Sequence, residues 1–311
     1  MDLLWPIKWL IELILVNFHS MFSTLGLGFD SGGSWVMAIV GLVLVVRAAL
    51  IPVFVRQIKS QRNMMMVQPE LAKLQKKYKG KTDRDSRERF AKEQMALYKA
   101  TGSNPLSSCL PLILQMPIFI SLFYVLNAAQ RNEPGVGVLE EELARSFSQA
   151  QLFGATLSDT FFGSEDLNVK VLAAIMIVLM SSSQFITQKQ IMTKNQNPET
   201  QNSQFMRTQK IMLYTLPAVF LLSGLTFPLG VMTYWLVSNF WTMGQQFIVI
   251  RNMPTPGSPA HKARQDRLER RGKLPKAETT PVIEEATPEL EARQRSQPVS
   301  KNRSKKKKKK K

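Results

Sequence analysis

Long apolar blocks alternate with charged stretches along the chain. Apolar residues gather at roughly 34–56, 105–126, 170–188 and 209–250. A helix that crosses about 30 Å of hydrocarbon needs roughly 20 mostly apolar residues, and each block has about that length. The last block is long enough for two helices and contains a turn signal at 226–230. The pattern predicts an all-α polytopic membrane protein with five core spans, at 34–56, 105–126, 170–188, 209–226 and 229–250.

Charge alternates between the loops that join these spans. The 56–104 loop holds thirteen Lys/Arg against five Asp/Glu, whereas the 127–169 loop holds two against seven. The 251–311 segment adds nineteen basic residues to a chain whose net charge is +18. Because loops rich in Lys and Arg stay in the cytosol, we expect a multi-pass cell membrane protein with its N-terminus outside and its C-terminus in the cytosol.

The N-terminal segment 1–33 has a weaker pattern. Apolar side chains recur at helical spacing over 3–22, but Lys8, Glu12 and His19 interrupt the other side of that helix. Two tryptophans near its start are typical of a membrane interface. We therefore expect an amphipathic helix on the outer leaflet, followed by a linker, with a sixth span as the alternative.

The 57–103 stretch within the 34–250 core is predicted to form a cytosolic helical hairpin. Pro69 suits the first turn of one helix, and Gly80 suits its end. A second helix is expected from about Asp83 to Gly102. The candidate functional residues of this hairpin are Gln68, Pro69, Glu70 and Leu71.

Arg47 is a charged residue inside an otherwise apolar span. Placing an arginine at the centre of a bilayer costs about 2.5–3.5 kcal/mol on insertion scales. An acidic partner on another span would offset this cost, but none of the five predicted spans contains Asp or Glu. We infer a hydrated cavity between the helices. The alternative is an arginine that reaches the inner headgroups from a shifted span.

Polar residues on other spans are candidates for lining the same cavity. Several recur at helical spacing within an otherwise apolar helix, so they share a face. Hydrogen bonds between packed spans are the alternative explanation for each of them. The candidates are Gln115, Ser181, Gln184, Trp235, Ser238 and Asn239.

The sequence disfavours an enzyme. Its two histidines, His19 and His261, lie outside the predicted spans, and the single cysteine, Cys109, has no histidine near it in sequence. We therefore expect no nucleophile–histidine pair in the membrane, no metal site and no cofactor.

The 251–311 segment is rich in Pro, Arg, Lys and Glu and has almost no aromatic residues, so we expect a disordered basic cytosolic tail. Its terminal lysines favour contact with ribosomal RNA or with anionic lipid. A solvated tail that only sets topology is the alternative. The residues concerned are Lys305, Lys306, Lys307, Lys308, Lys309, Lys310 and Lys311.

Short motifs between residues 34 and 250 resemble the YidC/Oxa/Alb membrane protein insertases in order and spacing. The motifs are Val46-Arg47 with Pro52, Lys59-Ser60-Gln61, Gln68-Pro69-Glu70-Leu71, Asn104-Pro105-Leu106, Gln115-Met116-Pro117-Ile118-Phe119, Phe227-Pro228-Leu229-Gly230, and Tyr234-Trp235-Leu236-Val237-Ser238-Asn239. By this resemblance Arg47 matches the family's groove arginine, and Gln184 and Trp235 match groove-lining positions.

The resemblance implies a hydrophilic groove that is open to cytosol and lipid and sealed outside. It also implies insertion and folding of nascent membrane proteins, alone or with the Sec translocon, on ribosomes held by the basic tail, and no small-molecule substrate. The substrate's apolar helix would then move into lipid along the third and fifth spans.

Two other functions stay open: a small solute or ion transporter, although no internal repeat is evident, and a passive ribosome anchor.

Overall fold

The computed structural model describes residues 2–101, 110–198 and 204–273. Cys109, the 104–106 motif and the lysines at 305–311 lie outside the described residues. The predicted all-α class is confirmed, because strands within these ranges are limited to two short segments. The elements are α1 (Trp5–Phe22), a π-helical turn (Ser23–Leu27), α2 (Gly32–Tyr78), α3 (Arg84–Ala100), α4 (Leu110–Gln130), α5 (Glu141–Gln149), an antiparallel pair β1 (Gln151–Leu152) and β2 (Ala155–Thr156), α6 (Leu167–Lys194), α7 (Gln204–Gly224), α8 (Leu229–Asn252) and α9 (Pro259–Glu269).

Several of these helices are long and apolar enough to cross a membrane. Among the described residues, α1 with its π-turn, α2, α4 and α6 meet both criteria by length and composition. The predicted spans at 209–226 and 229–250 fall on α7 and α8, which carry more polar residues.

The first predicted span and the first arm of the hairpin form one continuous helix, α2, of 47 residues. It begins after Ser31, whose side chain accepts a hydrogen bond from the backbone N–H of Gly33 at 3.1 Å. The expectation that Pro69 begins a separate helix is wrong, since Pro69 lies inside α2. Losing one backbone hydrogen bond at a proline is tolerable there, because Val67 and Leu71 on either side are buried against α3.

The main apolar core lies in one half of the bundle. It contains Trp35 to Val43 of α2, Leu122 to Ala129 of α4, Val169 to Met180 of α6 and Leu229 to Tyr234 of α8. These segments are the ends of the helices that adjoin the 131–166 connection. That connection covers the core with Phe147 and Leu157, both fully buried.

α1 packs against α2 and α4 at the same end of the bundle. Its Glu12 is fully buried and accepts hydrogen bonds from the backbone N–H groups of Val136 (2.7 Å), Gly137 (2.8 Å) and Leu139 (3.4 Å), in the loop after α4. A Cβ atom at Gly135 would overlap the Glu12 carboxylate, so the loop needs glycine there. The sequence placed Glu12 on the side of the helix opposite the apolar residues, whereas the structure buries it against the loop.

The C-terminal part of α1 packs against the start of α2 and the segment that precedes it. The imidazole of His19 stacks on Trp35 with 3.9 Å between ring centroids, and its Nε2 lies 2.9 Å from the carbonyl oxygen of Phe29. Thus α1 contacts both the loop that follows α4 and the segment that precedes α2.

The prediction that the chain is disordered from residue 251 onward is wrong for residues 259–269, which form α9. The Ser258 side chain accepts a hydrogen bond from the backbone N–H of His261, and Pro259 occupies the first turn, so the helix has a strong start. The preceding linker is fixed as well, because the backbone N–H of Thr255 donates to Asn195 Oδ1 at the end of α6 (2.8 Å). Composition did not reveal these local signals.

α3 folds back antiparallel along the second half of α2. Lys77 Nζ lies 2.8 Å from Glu93 Oε2, and Tyr78 Oη donates to Glu93 Oε1 at 2.7 Å. The hydrogen bond from Lys77, with a further one from Tyr78, holds the pKa of the Glu93 carboxyl below its usual value. Further along, Leu71 and Tyr98 pack in a separate small apolar cluster.

Replacing Leu71 by Ala is expected to loosen this helix pair, because Leu71 is only 5% exposed in a cluster of few residues. A buried Leu→Ala change costs about 2–5 kcal/mol. Limited proteolysis at the 79–83 turn should therefore become at least tenfold faster. The matched control is Met95→Ala, whose side chain is 51% exposed. Equal cleavage of the two variants would contradict the assigned packing.

Candidate functional site

Arg47 lies one helical turn beyond Val43, the last fully buried residue of α2 in the main core. Its side chain is half-buried, and its guanidinium carbon sits 5.6 Å from the ring centroid of Phe54. No acidic side chain in the described part of the chain forms an ion pair with it. The cation–π contact is favourable by about 0.5–2 kcal/mol and does not replace full hydration of the charge.

Polar groups from two other helices lie beside Arg47. The Gln115 side chain of α4 donates from Nε2 to the phenol oxygen of Tyr234 on α8 at 2.6 Å. Tyr234 is 4% exposed and lies within electrostatic range of Arg47, with Ser238 one turn along α8. The structure therefore brings Arg47, Gln115 and Ser238 together around Tyr234.

Tyr234 was not among the candidates chosen from the sequence. The available signal was its spacing, since it precedes Ser238 by four residues and so shares its helical face. Tyrosine is common in apolar helices, and only the contact between α4 and α8 shows its hydroxyl to be a partner of Gln115.

Three polar atoms at this level are buried and have no hydrogen-bond partner among the described residues. They are Gln115 Oε1, Ser238 Oγ and Asn239 Nδ2. Burying an unpaired amide group costs about 1–3 kcal/mol, so such groups mark places where water or a polar ligand group is bound favourably.

Trp235 belongs to an aromatic cluster at the core side of the polar site. Its ring stacks on Phe119 of α4 with a centroid distance of 5.2 Å and meets Phe220 of α7 and Phe227 edge-on at 5.7 and 5.0 Å. Trp235 is thus a packing contact of α4, α7 and α8 rather than a polar group beside Arg47.

The polar face of α6 points toward α7. Ser181 Oγ donates to the carbonyl oxygen of Pro217 at 3.4 Å, and Gln188 Nε2 donates to Gln209 Oε1. Gln184, which lies between Ser181 and Gln188 in the sequence, is half-buried. For Ser181 this geometry matches the alternative of a hydrogen bond between packed spans.

The two halves of the bundle therefore differ in the polarity of their interiors. One half has an apolar core covered by the 131–166 connection, and the other begins with a cationic and amide cluster at the end of that core. Within the described residues no group of three His, Cys, Asp or Glu is placed to hold a metal ion. This arrangement defines a class: multi-pass helical membrane proteins with polar side chains packed between their apolar helices.

Comparison with known proteins narrows this class. The family model described as 60Kd inner membrane protein matches residues 27–256. A membrane protein insertase YidC from Streptomyces avermitilis is 45% identical over 85% of this chain and 61% of its own length. Proteins of the same name from Tropheryma whipplei and Bifidobacterium longum are 40% and 35% identical, over 98% and 97% of this chain and 96% and 95% of their own lengths.

The chain therefore belongs to the 60Kd inner membrane protein family, that of the YidC membrane protein insertases. The sequence-based expectations of this family and of a multi-pass cell membrane protein are confirmed.

Proposed function

We propose that this protein inserts nascent membrane proteins through a polar groove centred on Arg47. The observation that carries the proposal is the end of the buried core at Val43, directly before Arg47 and the Gln115–Tyr234 pair. A groove that is closed at the core end and open at the other shortens the hydrocarbon barrier that a polar segment must cross. No nucleotide is needed for this step.

Arg47 attracts acidic residues of the substrate in this scheme. An arginine with no acidic partner among the described residues, in a partly dehydrated site, gains more from a carboxylate than an exposed arginine does. Gln115 and Tyr234 then offer hydrogen bonds to the backbone of the polar segment. The pairing is transient, because the substrate helix leaves the groove for lipid.

The exit route follows from the apolar surfaces beside the groove. The expected route along the third and fifth spans, α6 and α8, needs revision because α6 packs closely along α8. By contrast, Ile113 of α4 is 59% exposed, and Ile211 and Leu222 of α7 are 64% and 65% exposed. We propose that substrate helices pass between α4 and α7, where burial in lipid contributes about 25 cal/mol per Å² of apolar surface.

Orientation and partners complete the proposal. The basic loop and tail favour a cytosolic position for the α2–α3 pair and for α9, with the 131–166 connection outside. Because the middle of α1 at Glu12 and its C-terminal part at His19 both contact outer connections, α1 lies along the outer surface rather than across the bilayer. The exposed face of the α2–α3 pair meets the substrate first, because the side chains of Gln68 and Leu71 are themselves buried. The tail contacts the ribosome, and the Sec translocon acts as a partner for some substrates.

Site-specific crosslinking tests this function. A photoreactive amino acid at Gln115 is expected to crosslink to a stalled nascent chain, because Gln115 lines the groove. The control position is Val178 on α6, which is 62% exposed to the surroundings. Crosslinks at Val178 equal to those at Gln115, or none at Gln115 while insertion proceeds, would contradict the groove.

A further inference from the structure

The 131–166 connection carries an exposed aromatic residue at the tip of its β-hairpin. A two-residue turn, Phe153-Gly154, joins β1 to β2, and the φ angles of these residues are 53° and 77°. Such turns favour asparagine followed by glycine, and a positive φ is unfavourable for a bulky side chain. Phe153 nevertheless occupies this position and is 83% exposed. A strained residue with an exposed apolar ring indicates a contact outside the packed interior.

The hairpin lies at the level where two helices that are long enough to cross a membrane begin. On one side, Gln151 forms a β-bridge with Ser31, the residue directly before α2. On the other side, a Cβ atom built on Gly154 would lie 3.0 Å from Asn168 Nδ2, so the tip contacts the first turn of α6. These two contacts fix the place at which Phe153 leaves the protein surface.

The side of α6 next to this tip is apolar and exposed. Four residues at spacings of four, four and three share that side, so they form a continuous stripe along the helix. Asn168 lies on the same side, because it precedes Ile175 by seven residues, which is about two helical turns. In a bilayer, acyl chains cover an exposed apolar stripe of a spanning helix. The stripe consists of Leu167, Val171, Ile175 and Val178.

A second exposed phenylalanine lies at the corresponding end of α7. Phe162 is 68% exposed, and its backbone N–H donates to the carbonyl oxygen of Leu225 at 3.4 Å, directly after α7 ends. The neighbouring Phe161 packs against the main core and meets the Phe162 ring edge-on, with 5.5 Å between the ring centroids. The last turn of α7 is itself apolar and exposed at Leu221 and Leu222. Phe162 therefore lies beside another surface that acyl chains cover.

We propose that two aromatic anchors, Phe153 and Phe162, bind the 131–166 connection to the lipid leaflet that meets the starts of α2 and α6. An aromatic side chain buries about 150–250 Å² of surface, and its burial in lipid favours the anchored state and offsets the strain at Phe153. Neither ring carries a polar atom, so the anchors do not select a headgroup. They are separate from the groove and do not depend on the proposed insertion mechanism.

Lipid fits this surface better than a protein partner does. Both phenylalanines adjoin apolar surfaces of α6 and α7 that continue along these helices, so acyl chains reach the rings without any further component. A second copy of the chain, or another membrane protein, would have to displace that lipid at both positions. Continuity with the lipid-covered helix surfaces therefore favours the bilayer as the partner.

Spin labels test whether the two positions contact lipid. The chain has one cysteine, Cys109, so Cys109→Ser gives a background in which a nitroxide is attached at Phe153→Cys or Phe162→Cys. In the full chain in liposomes, both labels are expected to collide more often with oxygen, which dissolves among acyl chains, than with a water-soluble nickel complex. The control is a label at Arg145→Cys on α5, where the side chain is charged and 63% exposed. It should show the reverse order.

The variant Phe153→Asn separates a lipid anchor from an exposed side chain without a role. Asparagine suits a positive φ, so without a lipid contact it should stabilise the turn and slow hydrogen exchange in the hairpin. With the contact, loss of the ring should instead accelerate exchange in lipid nanodiscs by about tenfold. The amide to follow is that of Leu157, which donates to the carbonyl oxygen of Ala150 across the hairpin at 2.9 Å. Phe153→Trp keeps an aromatic ring and should exchange like the unmodified protein.

The two measurements contradict the anchors in different ways. Labels at 153 and 162 that collide mainly with the nickel complex, as the label at 145 does, would overturn the proposal. Dipolar broadening between labels at 153 in different copies of the chain would assign the hairpin tip to self-association and overturn it as well. So would slower or unchanged exchange in Phe153→Asn, or equal acceleration in Phe153→Asn and Phe153→Trp.

Discussion

Replacing Arg47 by Ala is expected to reduce insertion of a single-span substrate with an acidic external tail by about tenfold, while Arg47→Lys retains most of the activity. A charge-assisted hydrogen bond is worth about 1.5–3 kcal/mol, and 1.4 kcal/mol corresponds to a factor of ten. Lysine keeps the charge but not the bidentate geometry. The measurement is protease protection of the tail in liposomes that contain the purified protein.

Arg56→Ala is the matched control, because Arg56 is an exposed cation on the same helix. It should leave insertion close to normal. A second substrate with a neutral tail should be much less sensitive to Arg47→Ala. Unchanged insertion of the acidic substrate by Arg47→Ala, or equal losses for the acidic and neutral substrates, would refute a role of the arginine in attracting acidic residues.

Glu12→Ala is expected to lower the stability of the protein by about 3 kcal/mol, since it leaves three backbone N–H groups without their acceptor and empties a buried volume. For a protein of this size the melting temperature in detergent should fall by about 5–10 °C. Glu12→Gln should lose less, because its amide oxygen can still accept from part of the loop.

Glu133→Ala provides the comparison within the same loop. Glu133 forms an exposed ion pair with Arg131 at 3.0 Å, a type of contact that contributes little. Its melting temperature should stay within about 2 °C of the unmodified protein, in line with surface substitutions that cost less than about 0.5 kcal/mol. If Glu12→Ala melts like Glu133→Ala, the carboxylate does not hold the loop.

The sequence predicted Arg47 as a special residue because a charge within a long apolar run carries a cost that something nearby must offset. The sequence also showed that the predicted spans contain no Asp or Glu. In agreement with this, no acidic side chain among the described residues forms an ion pair with Arg47. The sequence could not distinguish Gln115, which forms a hydrogen bond with Tyr234, from Ser181, which forms one with the backbone of α7. Both are polar residues in apolar helices, and only their neighbours differ.

The prediction of disorder from composition was wrong for residues 259–269. A tail rich in charge and proline lacks the apolar surface for an independent core, which is why disorder was expected. α9 needs no such core, because Ser258 caps it and Arg267 bonds to the end of α8. Those contacts depend on where α8 ends in space.

By itself the sequence determined the all-α membrane class, the family and the need for polar surroundings at Arg47. Each follows from local quantities: the length of apolar runs, the placement of charge and the order of short motifs. Only the tertiary structure decided which side chains meet, including Tyr234 with Gln115 and Glu12 with the loop after α4. These pairs are separated by more than one hundred residues, and no periodicity along the chain encodes such a contact.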